Sequence, residues 1–546
     1  MKKISIFLLL VLFASFTFAR EVKEVKPVKN VILMIPDGTS LGVYSAARWY
    51  KIYNNLGEGL NIDPYITGTV STFSSNAPIG DSAPTTSAYM TGIPSRTGHV
   101  SIYPVHDPGN DLYPIDSTMA YQPLTTILEA SRIENNKATG LVVTCEFPHA
   151  TPADCAAHHY NRSNYKALAP QMAYQNLDVM FGGGNGILTD DIKQHFRNKE
   201  INLIQDDRNA MLDYSDDNPV WALFGDRAMP YDIDRNPEKF PSLAEMTQKA
   251  IDILSKKEKG FFLMVEGSQV DWAAHGNDPV GIITEYLAFD EAVGRALDFA
   301  KEDGETAVVI LSDHGNSGFS IGKNDCPGYD RLSIERLFGA VSNFKLTASG
   351  MEAELLKIKP ERIKKEFKKY TEIDLTDDEL ESLLTSKNYK MGGNNEDAKT
   401  PSLQSNILKI LNSKMCFGFT TGGHTGEEVL LAAYHPEGTV PMGHLKNTDI
   451  NDYLFKVSGL KTPLAEMTQQ IFAKHTDVFA DMTYSIEGKD SDIPVLMVKK
   501  GDRVLKVPAF SSVATLDGKT FDLGSVTVYI DRNDTFYLPR HLKDVF

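Results

Sequence analysis

From Asn30 to Ile35 the chain carries the apolar run VILMI, closed by Pro36-Asp37-Gly38. A short apolar run stopped by turn residues suits a parallel strand buried on both faces. The same shape returns at Leu141–Thr144, Phe261–Glu266 and Ala307–Asp313, and helical spacing appears at Ala244–Lys256 and Glu285–Lys301. Strands alternating with helices predict an α/β fold, with a largely parallel central sheet flanked by helices.

The rhythm changes twice. Over 325–417 it turns helical: Ile363, Phe367 and Tyr370 are spaced for one face within Lys357–Tyr370, and Thr376 to Glu379 has the form of a capping box. Beyond about Asp477 short alternating segments such as Val526–Ile530 and Phe536–Leu538 are separated by Gly and Asp turns. The expected layout is therefore an α/β domain carrying the chemistry over 27–324 and 418–476. A helical insertion covers 325–417 and a small β-rich appendage 477–546. The four cysteines, Cys145, Cys155, Cys326 and Cys416, allow three pairings and lack zinc-ribbon spacing. Cys326 with Cys416 is favoured because the pair flanks the insertion and would clamp its base.

Lys2 and Lys3, the apolar stretch Ile4–Phe18 and the small residues Thr17 and Ala19 form an export signal over 1–19. The stretch is short for a bilayer span, and no later one approaches the roughly 20 apolar residues a spanning helix needs. The expectation is an exported protein, periplasmic or secreted, with no stable membrane association after signal removal. The alternative is an uncleaved N-terminal anchor, disfavoured by the polar segment Arg20–Lys29. With 42% hydrophobic residues in 546 positions the chain can bury large cores. Its net charge of -17 repels nucleic-acid backbones, so nucleic acid is excluded as a partner. Binding of an anionic substrate then depends on local positive charge, such as metal ions.

Candidate chemistry collects where strands should end. Asp37, Glu266, Asp313 and His314 all stand at such ends, the side of an α/β sheet where ligands gather. One acid in a loop means little; four metal-capable residues at corresponding places form a pattern. Asp271 and His275 are four apart, so a helical turn aims both at one point, and His424 precedes the strand-like run Val429–Tyr434. In Gly80-Asp81-Ser82-Ala83-Pro84 the serine stands at a helix start, where free N–H groups and the helix dipole favour an anion. Alone, Ser82 reads more simply as an N-cap; beside the metal-capable residues it reads as a nucleophile.

Together these blocks resemble the metal-dependent alkaline phosphatases, from about Val31 to Pro436, including the segments Asp178–Gly184 and Pro241–Ala250. The resemblance implies hydrolysis of small phosphate monoesters, with Ser82 phosphorylated in turnover, Asp81 helping to position Arg162, and Arg162 gripping the phosphate. It implies two zinc ions, Zn2+, one on Asp271, His275 and His424 and the other on Asp37, Asp313 and His314. A third, magnesium-type (Mg2+) site matches Asp37, Thr151 and Glu266. His149 and Trp272 fall beside the phosphate, where relatives carry aspartate or histidine and lysine, histidine or tryptophan. Pro36 replaces a common glycine. A homodimer is a frequent state among such relatives. Phosphodiesters or sulfate esters are the competing substrates on the same framework, and a metal- or phosphate-binding module without catalysis is the competing class. Arg162 argues for monoesters, whose terminal group suits a forked cation.

Overall fold

The apolar runs form the middle of one ten-stranded sheet. Eight of its strands are β1 (Asn30–Pro36), β2 (Ile66–Ser71), β3 (Ala138–Glu146), β4 (Val179–Gly183), β5 (Asn202–Gln205), β6 (Val220–Leu223), β7 (Phe261–Gly267) and β8 (Thr306–Leu311). The spatial order is Gly443–Lys446, β2, Val429–Tyr434, β8, β1, β7, β3, β4, β6, β5. The computed structural model describes residues 24–389 and 400–546, so the export signal expected over 1–19 lies outside the described residues.

Both faces of the sheet are covered, which is why its strands read as continuous apolar runs. Along β1, Ile32 and Met34 enter one core cluster while Val31, Leu33 and Ile35 enter another on the opposite face. β1 pairs in parallel with β7 and β8. Val429–Tyr434 pairs antiparallel with both β2 and β8. That reversal places its beginning at the rim where the parallel strands end.

Between β8 and Val429–Tyr434 lie the helices Ile334–Ser342, Ala348–Leu355, Ile363–Thr371, Asp377–Leu384 and Leu403–Lys414. The helix expected from Lys357 starts only at Ile363. Lys359, ahead of Pro360, is extended, and Pro360–Arg362 forms a 3-10 turn. Ile363 and Phe367 are buried as spaced, whereas Tyr370 is half-buried. The Thr376 and Glu379 capping box is present. A disulfide joins Cys326 to Cys416, and Cys145 and Cys155 are free and buried. Phe338, Met351, Phe367 and Leu411 belong to the same core cluster as Ile32, so these helices share the core of the main sheet.

Toward the C-terminus, Thr483–Glu487, Val495–Lys500, Arg503–Pro508, Val513–Leu516 and Lys519–Asp522 make an antiparallel five-stranded sheet. Val528–Ile530 pairs with Thr535–Leu538. The small core beneath them includes Leu496, Leu505 and Phe536 and takes in Ala167 from the main body.

Candidate active site

The candidate residues occupy the segments that leave the carboxyl rim of the sheet. Asp37 follows β1 directly, Glu266 is the penultimate residue of β7, and Asp313 and His314 lie just past β8. Asp271 and His275 are on the short helix Gln269–His275, and Thr151 is on Ala150–Ala156, which His149 precedes. His424 reaches the same place because His424–Thr425 pairs antiparallel with Gly315–Asn316.

Two groups of possible ligands result, Asp271 with His275 and His424, and Asp37 with Asp313 and His314. In each, one donor atom per residue lies within 4.8 Å of the others. His275 Nδ1 is 2.9 Å from the Gly422 carbonyl, His424 Nδ1 2.8 Å from that of Gly80, and His314 Nδ1 3.1 Å from that of Gly315. A carbonyl only accepts, so the neutral form of each ring carries its proton at Nδ1 and turns an Nε2 lone pair inward. Nε2 of His275 and Nε2 of His424 face each other at 3.1 Å. Burial first, then the neighbouring His314, hold the His424 imidazole below its usual range, so that ring stays neutral at neutral pH. Facing lone pairs repel unless a cation lies between them. Two nitrogens bound to tetrahedral zinc at about 2.0–2.1 Å are separated by roughly 3.3 Å, close to the spacing here.

Several oxygen atoms of the candidate residues lack hydrogen-bond partners. Both carboxylate oxygens of Asp37, Oε1 of Glu266, Oδ2 of Asp313 and Oγ1 of Thr151 are buried and accept or donate no hydrogen bond. Buried polar atoms are normally satisfied, so this donor set fits bound cations.

Ser82 is the first residue of the helix Ser82–Thr91, and Asp81 takes the capping position. The simpler reading of Ser82 as an N-cap therefore does not hold. Its Oγ lies 3.2 Å from His314 Nε2, and the residue is 1% exposed. Asp81 turns away from its own helix: Oδ2 accepts from Gly98 N at 3.0 Å and Oδ1 accepts from Arg162 Nη1. Arg162 N donates to the Gly98 carbonyl at 2.9 Å, so one short segment braces both ends of the arginine–aspartate pair. Arg162 Nη2 is 3.4 Å from His149 Nε2, and the His149 ring meets the Trp272 indole edge-to-face with centroids 5.7 Å apart.

The sequence profile of the family described as alkaline phosphatase matches residues 28–460. The chain belongs to the alkaline phosphatase family. It is 33% identical over 449 residues to alkaline phosphatase 3 of Bacillus subtilis (strain 168), covering 79% of this chain and 88% of that protein. Among solved structures, the cold-active alkaline phosphatase from the psychrophile Shewanella sp. superposes with a TM-score of 0.68 at 27% identity, over 79% of this chain and 100% of the other. A histidine-to-aspartate variant of the TAB5 alkaline phosphatase, with Mg bound in a site called M3, matches with a TM-score of 0.55 at 25% identity, over 80% and 100% of the two chains.

The electrostatics of this phosphatase are those of a cation site. Burial, then Asp313, Asp271 and Glu266, push the Asp37 carboxyl well above its usual range. Burial and then Asp313 raise Glu266 to about 8. Burial alone would raise Asp271 too, but positive charge at the His314, His275 and His424 positions, with the Asn316 hydrogen bond, outweighs it and holds that carboxyl low. These carboxylates repel one another, and divalent charge among them would reverse the balance. His149 is pushed down to about 3 by burial and by Arg162, so it is a neutral imidazole.

Contacts link the expected site residues into one assembly except Thr151, whose buried hydroxyl stands alone on the His149 helix. Three neighbours are added that the sequence reading passed over. Asn316 Nδ2 donates to Asp271 Oδ1 at 2.7 Å. Cys145 Sγ donates to Glu266 Oε2 at 3.5 Å. Gly38 donates its N–H to Asp313 Oδ1 at 3.1 Å, has φ +59°, and leaves no room for a side chain: a Cβ there would lie 2.2 Å from Asp271 Oδ1. The Pro-Asp-Gly turn was the available signal for Gly38; Asn316 and Cys145 had none.

Proposed function

We propose that this phosphatase hydrolyses phosphate monoesters by double displacement at Ser82. Asp271, His275 and His424 would hold one zinc ion and Asp37, Asp313 and His314 a second, while the oxygens of Asp37, Thr151 and Glu266 suit a magnesium-type ion. When bound, such ions supply positive charge that favours the serine alkoxide and offsets charge on the departing oxygen.

Ser82 Oγ loses its proton and forms a bond to phosphorus as the ester oxygen leaves in line and becomes the free alcohol. Water then attacks the phosphoserine, releasing phosphate and returning a proton to Oγ. Two in-line inversions give net retention at phosphorus. The N-terminus of the Ser82–Thr91 helix favours the anion beside Oγ. Arg162 holds two nonbridging oxygens with its forked guanidinium, kept in place by Asp81 and Gly98. Neutral His149 and Trp272 add no charge, which leaves Arg162 as the cationic side chain on that side. Buried Ser82 beside inward-facing lone pairs is the observation that supports this reading.

The same reading assigns the catalytic unit to 27–324 and 418–476, the insertion to 325–417 and the appendage to 477–546. It places the protein outside the cytoplasm once residues 1–19 are removed. Among the described residues no helix is long and apolar enough to cross a membrane. The test is p-nitrophenyl phosphate turnover with metal analysis: Ser82→Ala abolishes turnover and keeps the metal. Full turnover by Ser82→Ala, or preference for diester or sulfate substrates, would sink the proposal.

A further inference from the structure

The geometry points to a soft-metal site on Cys145, His149 and Glu266, so that the ion beside Glu266 is a thiolate-bound zinc-like cation rather than magnesium. This replaces the magnesium-type assignment above and rests on the two zinc groups and the Ser82 chemistry given there. The tight turn from Glu146 to His149, closed by a His149 N–H to Glu146 carbonyl bond of 2.9 Å, brings residues 145 and 149 to the same side of Glu266. Cys145 Sγ, a ring nitrogen of His149 and a Glu266 oxygen lie within 4.8 Å of one another. Cys145 and Glu266 are both 0% exposed. Glu266 Oε1 and His149 Nδ1 are buried without hydrogen-bond partners, while the other Glu266 oxygen faces the thiol at 3.5 Å. An unpartnered carboxylate oxygen and an unpartnered imidazole nitrogen beside a thiol make a mixed S, N, O donor set.

Such a set discriminates by softness. Magnesium demands oxygen donors in near-octahedral array and keeps water, whereas thiolate and imidazole favour zinc and cobalt. On binding, Cys145 loses its proton to solvent and the sulfur coordinates as thiolate, so each ion taken up at this site releases one additional proton. The two other ligand groups have no sulfur, which separates the sites spectroscopically.

The experiment uses the full chain carrying Ser82→Ala, stripped by chelator and titrated with cobalt(II), read by near-ultraviolet absorbance, metal stoichiometry and proton release. A thiolate-to-cobalt charge-transfer band is expected with the third equivalent. It should persist in Cys155→Ala and vanish in Cys145→Ser with two ions still bound. Excess magnesium should not remove it. Cys145→Ser should weaken the third ion by more than the roughly 10–100-fold that loss of an outer partner costs. Three ions bound without a sulfur band, or ready displacement of the third by magnesium, would overturn the inference and leave Ser82 chemistry standing. Failure to bind any ion would reject both. Should Cys145→Ser not fold, the band in the parent and in Cys155→Ala decides the matter.

Discussion

Asn316 Nδ2 donates to Asp271 Oδ1 at 2.7 Å while its own backbone pairs with His424, so one residue orients two members of a ligand group. Outer partners of this kind fix the ligand's rotamer. Asn316→Ala is expected to lower metal affinity at that group by about 10–100-fold, measured by competition with a chelating dye. Unchanged affinity would remove the orienting role.

Gly38→Ala should be more damaging than its size suggests. The new methyl would overlap Asp271 Oδ1, and the backbone there is left-handed with φ +59°. A loss of about 1–3 kcal/mol in stability is expected, with impaired metal uptake. Urea unfolding together with metal analysis checks both.

Arg162→Lys keeps a charge but not the fork. A fall of about 10²–10³ in kcat/KM is expected, since a fixed pair of donors is lost from the transition state. Asp81→Asn should cost less, because Gly98 N–H still finds an acceptor. Steady-state kinetics on a monoester would show the order; parity between Arg162→Lys and the parent would contradict the assigned grip.

Stability should depend on pH through Glu285, which belongs to none of the ligand groups. Burial raises its carboxyl to about 8, with a backbone hydrogen bond from Asp232 opposing the rise and the charges of Asp232 and Asp234 adding to it. The folded chain holds a proton that the unfolded chain, near 4.5, releases. This contribution is therefore full below about pH 4.5 and is lost as pH rises through about 8. Glu285→Gln should gain on the parent across that window, by about 1–3 kcal/mol at its alkaline end. Denaturation midpoints at pH 5 to 9 (about one-unit steps) test it; a constant difference would reject it.

Much of the site was legible because ligand spacing is local. Asp271 and His275 share one helical turn, Asp313 and His314 are adjacent, and apolar runs announce the strands that end beside them. What the sequence hides depends on distant partners. Asn316 is an ordinary asparagine until the fold brings it against Asp271. Cys145 reads as one more small core residue of β3 until Glu266 is placed beside it. The helices between Cys326 and Cys416 read as a separate block, yet Phe338 and Leu411 enter the same core as Ile32, because amphipathic spacing says that a face is buried and not against what. Pro360 shows a propensity signal overruling apparent periodicity, cutting short the helix expected from Lys357.

The disulfide between Cys326 and Cys416 stands beside a two-strand ladder in which Ser320–Ile321 pairs with Phe417–Gly418. The polypeptide therefore departs from the catalytic rim and comes back to it at neighbouring points, seven residues or fewer before His424. Two duties of the excursion are thereby divided: its helices help to fill the core beneath the sheet, while the staple and ladder at its base set where the returning histidine re-enters the rim.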